Sequence, residues 1–436
     1  LRRLSALADR VAGERIPALE SEGARLASHD LAACADAELA AALLERAESL
    51  RRWKDIYWDE FIPLAHGVRQ LGRYYADAVH PDDPYEFVGL LKSVDMLASR
   101  RNQAMADLAE RLRGNARLME AVSDARVALA DADATTWREM LEPLRELPGG
   151  PGFLDAFDAL AAGFMDVMYG TERLLDRPDL LLHTLLELAE VAPRDAGSAA
   201  LHQGVGRSEL EQRLFDAIGP ARRDEAAEVL RIGRVSWRLR DDDNLLLSRV
   251  ESQLNRAVAM ALDRLRAAGR LRREPRRTDD MVPALATALT DPDAVLDLPA
   301  ATPEDAGVEI LSQDTPRQLI GQPASPGLET GKVRCIRSSE DLGRFEAGEV
   351  LVCDAIQPMM THLVPLACAI VERRGGMLIH GAIIARELGI PCVNGIPGSD
   401  ARNTRGPSAV RRPLYWPRNC SPVTRNRNAS QVTGLL

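Results

Sequence analysis

The stretch from Gly375 to Gly395, GGMLIHGAIIARELGIPCVNG, contains the residue best suited to chemistry, His380. Two glycines lead toward this histidine, and the residues Ala382–Leu388 after it have helical spacing. Gly389 closes that run, and the proline two residues later prevents its extension. The pattern predicts a tight turn that presents His380 at a helix N-terminus, where unpaired N–H groups and the helix dipole favour a bound phosphate. Imidazole groups titrate near neutral pH, so a histidine there can act as a nucleophile.

A histidine at a helix start is more often a cap or a packed side chain than a nucleophile. The longer sequence pattern around His380 is therefore needed to distinguish these roles. That pattern reads GG-x-x-x-H-x-A-I-x-A-R-E-x-G-I-P-x-V-x-G. It resembles the phosphohistidine, or swivelling, domain of the phosphoenolpyruvate-utilising enzymes. This group includes phosphoenolpyruvate synthase, pyruvate phosphate dikinase, rifampicin phosphotransferase and phenylphosphate synthase. The resemblance implies that His380 is the catalytic, phosphoryl-carrying residue.

The resemblance also implies a phosphate-binding set around the histidine. Thr361 matches the threonine of a Pro-x-x-Thr loop in the family, and the alternative is a hydroxyl bonded to local backbone. Arg386 would pair with a phosphate oxygen, and the alternative is an ion pair on the helix surface. Ile379 departs from the family, which often has Ser, Thr or Cys just before the histidine. The full set comprises Gly375, Gly376, Gly381, Thr361 and Arg386.

The domain that holds these residues is predicted to span residues 319–398. Residues 321–333 resemble the opening pattern of the family domain, G-x-x-A-S-P-G-x-x-x-G-x-V. Short apolar runs at Val350–Cys353 and Ala367–Val371 predict buried strands that precede the glycine turn. Strand, loop, strand and helix in this order predict a small α/β (β/β/α) domain.

The rest of the chain is predicted to be mainly α-helical, so the fold class is a multidomain chain with a helical N-terminal two-thirds. Leu and Ala recur at helical spacing through residues 1–148 and again through 153–289, and a Pro- and Gly-rich break separates them. Residues 290–318 have no sustained period and are predicted to be the linker that a travelling carrier domain needs.

Two helical segments add to the resemblance. Residues 53–63, WKDIYWDEFIP, and residues 238–244, RLRDDDN, are similar to sequences in phosphoenolpyruvate-synthase-like proteins. The first lies in the aromatic-rich part of the chain, which suggests an acceptor-substrate pocket or, alternatively, a helix-packing cluster. The second invites a Mg²⁺ hypothesis, but consecutive helical positions point in different directions, which favours a structural role. We predict no metal site in this chain. The candidate substrate-binding residues are Trp58, His66 and Tyr74.

Composition limits the classes of function. The formal net charge of −10 argues against a general nucleic-acid or membrane-surface binder. The six cysteines show neither a CxxC pair nor a metal-ligand spacing, which predicts a reduced, cytoplasmic protein. Neither a signal peptide nor an apolar run of transmembrane length is evident in the 436 residues.

The resemblance implies a phosphoryl relay. An ATP-grasp domain or subunit would bind ATP and Mg²⁺ and phosphorylate the histidine, and the swinging domain would pass the phosphoryl group to a small-molecule acceptor. A Gly-rich nucleotide loop followed by a Lys-bearing strand is not evident here, nor is a long βα repeat after His380. We therefore expect an incomplete phosphotransferase that needs a nucleotide-binding domain or subunit. The alternative is a non-catalytic carrier or regulatory remnant.

The two ends of the chain bear on the same question. The first residue is Leu1 rather than Met, which we interpret as a fragment, a processed form or an incomplete gene model. Residues 399–436 are rich in Arg, contain one acid, and lack the strand alternation with which the family domain normally closes. This tail is interpreted as a frameshifted or truncated end, or alternatively as a basic partner-binding segment.

Overall fold

The computed structural model describes residues 1–83, 85–91, 96–130, 137–169, 172–191, 206–272, 281–297, 321–327, 329–376 and 379–396. The predicted linker lies largely outside these ranges, and the predicted basic tail lies wholly outside them. Among the described residues, the α-helices are Arg2–Arg10, Ile16–Ala27, Asp36–Ile56, Ile62–Leu64, His66–Val79, Leu97–Arg113, Ala116–Leu129, Trp137–Leu141, Gly150–Phe164, Pro178–Glu190, Arg207–Ile218, Arg223–Ala267, Met281–Thr290, Ser339–Leu342 and His380–Leu388.

The strands are few and mostly C-terminal. Among the described residues they are β1 (Met168–Tyr169), β2 (Glu172–Arg173), β3 (Gln322–Ser325), β4 (Val333–Cys335), β5 (Val350–Cys353), β6 (Ala369–Glu372) and β7 (Cys392–Asn394). A helical N-terminal two-thirds followed by a small α/β domain confirms the predicted fold class. The described helices include none that is long and apolar enough to cross a membrane.

The C-terminal sheet has the strand order β3-β7-β6-β5-β4. Strands β4, β5, β6 and β7 run parallel to their neighbours, and β3 pairs antiparallel with β7. Every residue of β5 and β6 is buried, as expected for central strands covered on both faces. The helix His380–Leu388, called the His380 helix below, connects β6 to its parallel neighbour β7. This β-α-β connection fixes where the histidine emerges from the sheet.

The residues form two compact units. The first comprises Leu1–Ala8, Ala65–Asp242 and Leu311–Leu436. One of its cores joins the helices His66–Val79 and Arg207–Ile218, and this core contains Val68, Leu71, Trp237 and also Ile383 of the His380 helix. The C-terminal sheet therefore belongs to the same compact unit as much of the helical region.

The second unit comprises Asp9–Leu64 and Asp243–Ile310. Its core is made mainly of Leu and Ala side chains from the helices Asp36–Ile56 and Met281–Thr290 and from the later part of Arg223–Ala267. The amphipathic spacing of these residues explains the packing, because one apolar stripe per helix is buried.

The structure differs from the predicted secondary structure in two segments. The predicted helical region 153–289 is interrupted between the helices Gly150–Phe164 and Pro178–Glu190, where the short antiparallel pair β1–β2 lies. The strand predicted from Ala367 begins two residues later, at Ala369. A single helical turn at Val364–Leu366 precedes it, and the proline within that turn favours the turn over an earlier start of the strand.

Candidate functional site

His380 is the first residue of its helix, as the sequence predicts. Ile379 has the extended backbone of an N-cap residue, with φ −78° and ψ 160°, and its side chain makes no capping hydrogen bond. The histidine side chain is partly exposed, and both of its ring nitrogens are buried. Gly389 ends the helix in the left-handed conformation, and its N–H bonds the carbonyls of Ala385 and Arg386. The apolar residue before the histidine therefore leaves the helix start without the side-chain cap that Ser or Thr would supply.

The glycine turn is fixed by a residue that the sequence analysis did not single out, Asn394 of β7. Its side-chain amide donates to the carbonyl oxygen of Gly376 at 2.7 Å, and Asn394 is fully buried. Gly376 has φ +147°, which disfavours other residue types. A Cβ on Gly375 would lie 3.1 Å from Cα of Gly395, so two backbone segments meet closely here. The Asn394 side chain thus joins β7 to the glycine turn.

Gly381 has a close neighbour that the sequence analysis also missed. Glu372, the last residue of β6, is fully buried, and a Cβ on Gly381 would lie 2.5 Å from its Oε1 and 2.6 Å from its Oε2. The carboxyl group accepts a hydrogen bond from the N–H of Ile356 at 2.7 Å. Burial raises the pKa of Glu372 to about 7, and the nearby imidazole of His380 partly opposes this rise. An acidic side chain thus lies against the helix start at which phosphate was expected.

Thr361 lies in the single-turn segment Pro358–His362 and is fully buried. Its hydroxyl donates to the carbonyl of Pro358 and accepts from the guanidinium of Arg101, which lies on the helix Leu97–Arg113. The local backbone bond agrees with the alternative for this threonine. The contact with buried Arg101 links the loop to the helical region, and the phosphate role of Thr361 remains a prediction.

Arg386 is also buried, six residues along the His380 helix from the histidine. Six residues correspond to about 9 Å of helix rise. Burial lowers the pKa of Arg386, and the charge of Asp83 partly opposes this shift. The burial of Arg386 favours a role in packing the helix, and its phosphate contact remains a prediction.

The C-terminal domain contacts the helical region through specific polar bonds within the first unit. Trp237 donates its indole N–H to Glu387 of the His380 helix at 2.9 Å. His183 bonds the carbonyl oxygen of Phe345 at 2.9 Å, and Glu187 accepts from the N–H of Ala347 at 2.9 Å. These contacts explain why residues far apart in sequence form one compact unit.

The RLRDDDN segment lies within the long helix Arg223–Ala267. Asp242 is buried, and its carboxylate accepts from the N–H of Leu97, the first residue of the helix Leu97–Arg113. The bond satisfies an N–H that has no acceptor within its own helix, in agreement with the structural interpretation of this segment. The described residues contain no group of three His, Cys, Asp or Glu that could hold a metal ion.

The three predicted acceptor-binding residues lie on separate elements. Trp58 is 66% exposed and belongs to the second unit. His66 and Tyr74 lie on the helix His66–Val79 of the first unit, where His66 is exposed and Tyr74 is partly buried. Tyr74 packs against the core that includes Ile383 of the His380 helix. Their substrate role remains a prediction, and Tyr74 is the member with a packing connection to that helix.

Comparison with known proteins identifies the C-terminal domain. Residues 345–410 match the family described as PEP-utilising enzyme, mobile domain. An uncharacterized phosphotransferase of Bacillus subtilis, YvkC, is 45% identical over 83 residues, which are 19% of this chain and 10% of that protein. A probable phosphoenolpyruvate synthase of Archaeoglobus fulgidus is 44% identical over 77 residues, 18% of this chain and 10% of that protein. A phosphoenolpyruvate synthase of Neisseria meningitidis is 51% identical over 65 residues, 15% of this chain and 8% of that protein.

The C-terminal part of the chain is therefore similar to the mobile domain of PEP-utilising enzymes. The aligned residues span about a tenth of the length of the curated relatives. The matched segment includes His380.

Proposed function

We propose that this chain is the phosphohistidine-carrying portion of a cytoplasmic, ATP-dependent dikinase-type phosphotransferase. It relays a phosphoryl group from a nucleotide-binding domain or subunit through His380 to a small-molecule acceptor. One observation carries the proposal: His380 is the first residue of a helix, behind a glycine turn that Asn394 bonds, in the segment that matches the mobile-domain family.

In this proposal the chain's own residues supply the nucleophile, a helix start that binds the phosphoryl oxygens, and a turn that orients the ring. A neutral imidazole nitrogen of His380 attacks the phosphorus, an N–P bond forms, and the P–O bond to the donor breaks. The donor oxygen leaves with the bonding electrons. N–H groups of the first helical turn stabilise the phosphoryl oxygens, since they have no acceptors within the helix. In this proposal the turn at Gly375 and Gly376, bonded by Asn394, helps to orient the ring, and orientation supplies much of the catalysis of phosphoryl transfer.

ATP and Mg²⁺ belong to the partner in this proposal. We assign the nucleotide and its metal to an ATP-grasp domain or subunit, as the family resemblance implies. When bound there, Mg²⁺ neutralises charge on the phosphates. This chain supplies the nucleophile, His380, and the mobile domain that carries the phosphoryl group from the donor to the acceptor.

The helical region is proposed to hold the acceptor. Its support is the docking of the His380 helix on that region: Ile383 enters the core beside Val68 and Trp237, and Glu387 is bonded by Trp237. Tyr74 packs on the same core, which makes it the first candidate for acceptor contact. His66 and Trp58 remain candidates from the sequence pattern alone.

A second candidate function is a non-catalytic carrier or regulatory remnant. It is favoured by two features of the helix start: Ile379 supplies no capping hydrogen bond, and the buried carboxyl of Glu372 lies against Gly381. An ionised carboxylate there would repel a phosphoryl group. The two functions differ in whether His380 accepts phosphate from ATP.

Labelling with ATP distinguishes them. The full chain is mixed with a candidate ATP-grasp partner, Mg²⁺ and ATP labelled separately at the β- and γ-positions. The carrier function predicts acid-labile, alkali-stable label that is absent in His380→Ala, and the labelled position identifies the phosphoryl group that moves. A folded chain that gains no label from a partner known to be active would favour the remnant.

A further inference from the structure

The second compact unit contains a cysteine and a histidine that meet at a surface cleft. Cys34 and His29 lie in the connection between the helices Ile16–Ala27 and Asp36–Ile56, and Sγ of Cys34 is 3.4 Å from Nε2 of His29. The thiol also donates to the carbonyl oxygen of Asp30 at 3.4 Å. His29 is exposed, Cys34 is half-buried, and both line a cleft of about 600 Å³. A thiol in this position can lose its proton to the imidazole and become a nucleophile.

A buried cation lies behind the wall of the same cleft. Arg46 is fully buried, and its guanidinium donates at 3.2 Å to the carbonyl oxygen of Ala42, which lines the cleft, and at 2.9 Å to that of Leu26. Its Nε has no hydrogen-bond partner among the described residues, and its ion pair with Glu45 is long, at 3.9 Å. Arg46 and Cys34 interact electrostatically, so this guanidinium would stabilise a thiolate at Cys34.

Carboxylates determine the charge of the cleft. Asp30, Glu38 and Glu45 line it, and the first two accept hydrogen bonds from backbone N–H groups. Neither Asp30 nor Glu38 has an ion-pair partner among the described residues. The neighbouring cations Arg25 and Arg264 are each already paired with a carboxylate, at 2.7 and 2.9 Å. A cleft with this lining attracts small cations and repels small anions.

We propose that Cys34 is a thiol-modification site, with His29 as its general base, that forms a mixed disulfide with a small cationic disulfide. The cleft gives the disulfide access to the sulfur, and the carboxylates select its charge. His29 and the buried Arg46 offset the effect of these carboxylates on the thiolate. The site lies in the second unit and does not depend on the carrier function proposed for His380.

The proposed step is a thiol–disulfide exchange. Nε2 of His29 takes the thiol proton, and the sulfur of Cys34 attacks one sulfur of the small disulfide. A new S–S bond forms, the original S–S bond breaks, and the departing sulfur leaves with the electron pair. His29 then returns the proton to the departing thiolate. One thiol and one disulfide are consumed, and one thiol and one mixed disulfide are produced.

The first test compares two small disulfides of opposite charge, cystamine and dithiodiglycolate. Each is added to the full chain at pH 7, and the adduct on every cysteine is followed by mass spectrometry. Each rate is divided by the rate of the same disulfide with 2-mercaptoethanol, which corrects for its intrinsic reactivity.

We expect Cys34 to react faster than Cys335 and Cys368, the other half-buried cysteines among the described residues. Cystamine should be preferred at Cys34 by about tenfold, and added salt should reduce this preference. Equal corrected rates for the two disulfides, or slower reaction at Cys34 than at Cys335 and Cys368, would overturn the proposal.

The second test uses variants of the lining. His29→Gln removes the base and should slow the reaction of Cys34 by about tenfold or more. Glu38→Gln should reduce the preference for cystamine, and the new amide oxygen can still accept from the N–H of Ala35. Glu48→Gln is the matched control, because Glu48 is an exposed carboxylate on the same helix that does not line the cleft.

His29 and Glu38 are exposed, so these variants should fold as the wild type does, which circular dichroism checks. An unchanged rate at Cys34 in His29→Gln would exclude the general base. Equal changes of charge preference in Glu38→Gln and Glu48→Gln would exclude selection by the cleft.

Discussion

The contact between Glu372 and Gly381 leads to a prediction that can be worked out from distances. In Gly381→Ala the new Cβ would lie 2.5–2.6 Å from the carboxyl atoms of Glu372, which is closer than real Cβ contacts allow. The carboxyl is fully buried and bonded to the N–H of Ile356, so it has little room to retreat. Overpacking of this kind costs about 1–3 kcal/mol.

The opposing effect is helix propensity, since alanine is better than glycine within a helix by about 0.5–1 kcal/mol. We therefore expect Gly381→Ala to lower the stability of the sheet domain by up to about 2 kcal/mol. In a Glu372→Ala background the carboxyl is gone and the same substitution should become stabilising. The two sites should thus show a coupling energy of about 1–3 kcal/mol in a double-mutant cycle.

Native-state hydrogen exchange is the appropriate assay, because the amides of β5 and β6 report the opening free energy of this domain rather than of the whole chain. Gly163→Ala is the control: Gly163 lies in the helix Gly150–Phe164 with nothing within 4 Å of the added Cβ, so the change should not destabilise. A stabilising Gly381→Ala in the wild type, with the same effect in Glu372→Ala, would refute the placement of the carboxyl against the helix start.

Three further predictions concern the same domain. Thr361→Val removes the acceptor that Arg101 uses, and leaving a buried donor without its acceptor should cost about 1–3 kcal/mol by hydrogen exchange, whereas Thr361→Ser should cost less. Asn394→Ala removes the hydrogen bond to the carbonyl of Gly376, so we expect faster hydrogen exchange of the amides in the glycine turn and a loss of about 1 kcal/mol of stability. Unchanged exchange of these amides would show that the bond does not stabilise the turn. Burial lowers the pKa of His362 to about 3, with the charge of Arg101 adding to this effect. The unfolded chain therefore binds a proton below pH 6.5 that the folded chain refuses, and stability should fall by about 1.4 kcal/mol per pH unit as pH decreases from 6.5 toward 3, a dependence that His362→Gln should reduce.

Local patterns in the sequence were sufficient to predict the turn, helix and strand that present His380. The glycine pair, the helical spacing after His380, Gly389 and the apolar run of β5 each act within a few residues, and the structure contains the corresponding turn, helix, helix end and strand. The mainly helical N-terminal part is predictable for the same reason, because helix periodicity is a local property.

The partners of the site could not be predicted in this way, because they meet only through the tertiary fold. Glu372 reaches the helix start because β6 lies beneath it, and Asn394 reaches the glycine turn because β7 is the parallel neighbour of β6. Arg101 meets Thr361 across 260 residues of sequence. For Glu372 the residue type itself indicated a functional position. An acidic residue at the end of an otherwise apolar strand, Ala369–Glu372, is costly to bury and therefore suggests a specific role.

The most direct test of the carrier function is to locate the phosphoryl group. The full chain is incubated with an active ATP-grasp partner, Mg²⁺ and ATP, and the phosphorylated residue is identified by mass spectrometry under alkaline conditions that preserve phosphohistidine. The carrier function predicts phosphate on His380 alone, with loss of the signal in His380→Ala and its retention in Glu349→Gln, which changes a buried carboxyl of the same sheet domain. Phosphate on another residue, or labelling that persists in a folded His380→Ala, would contradict it.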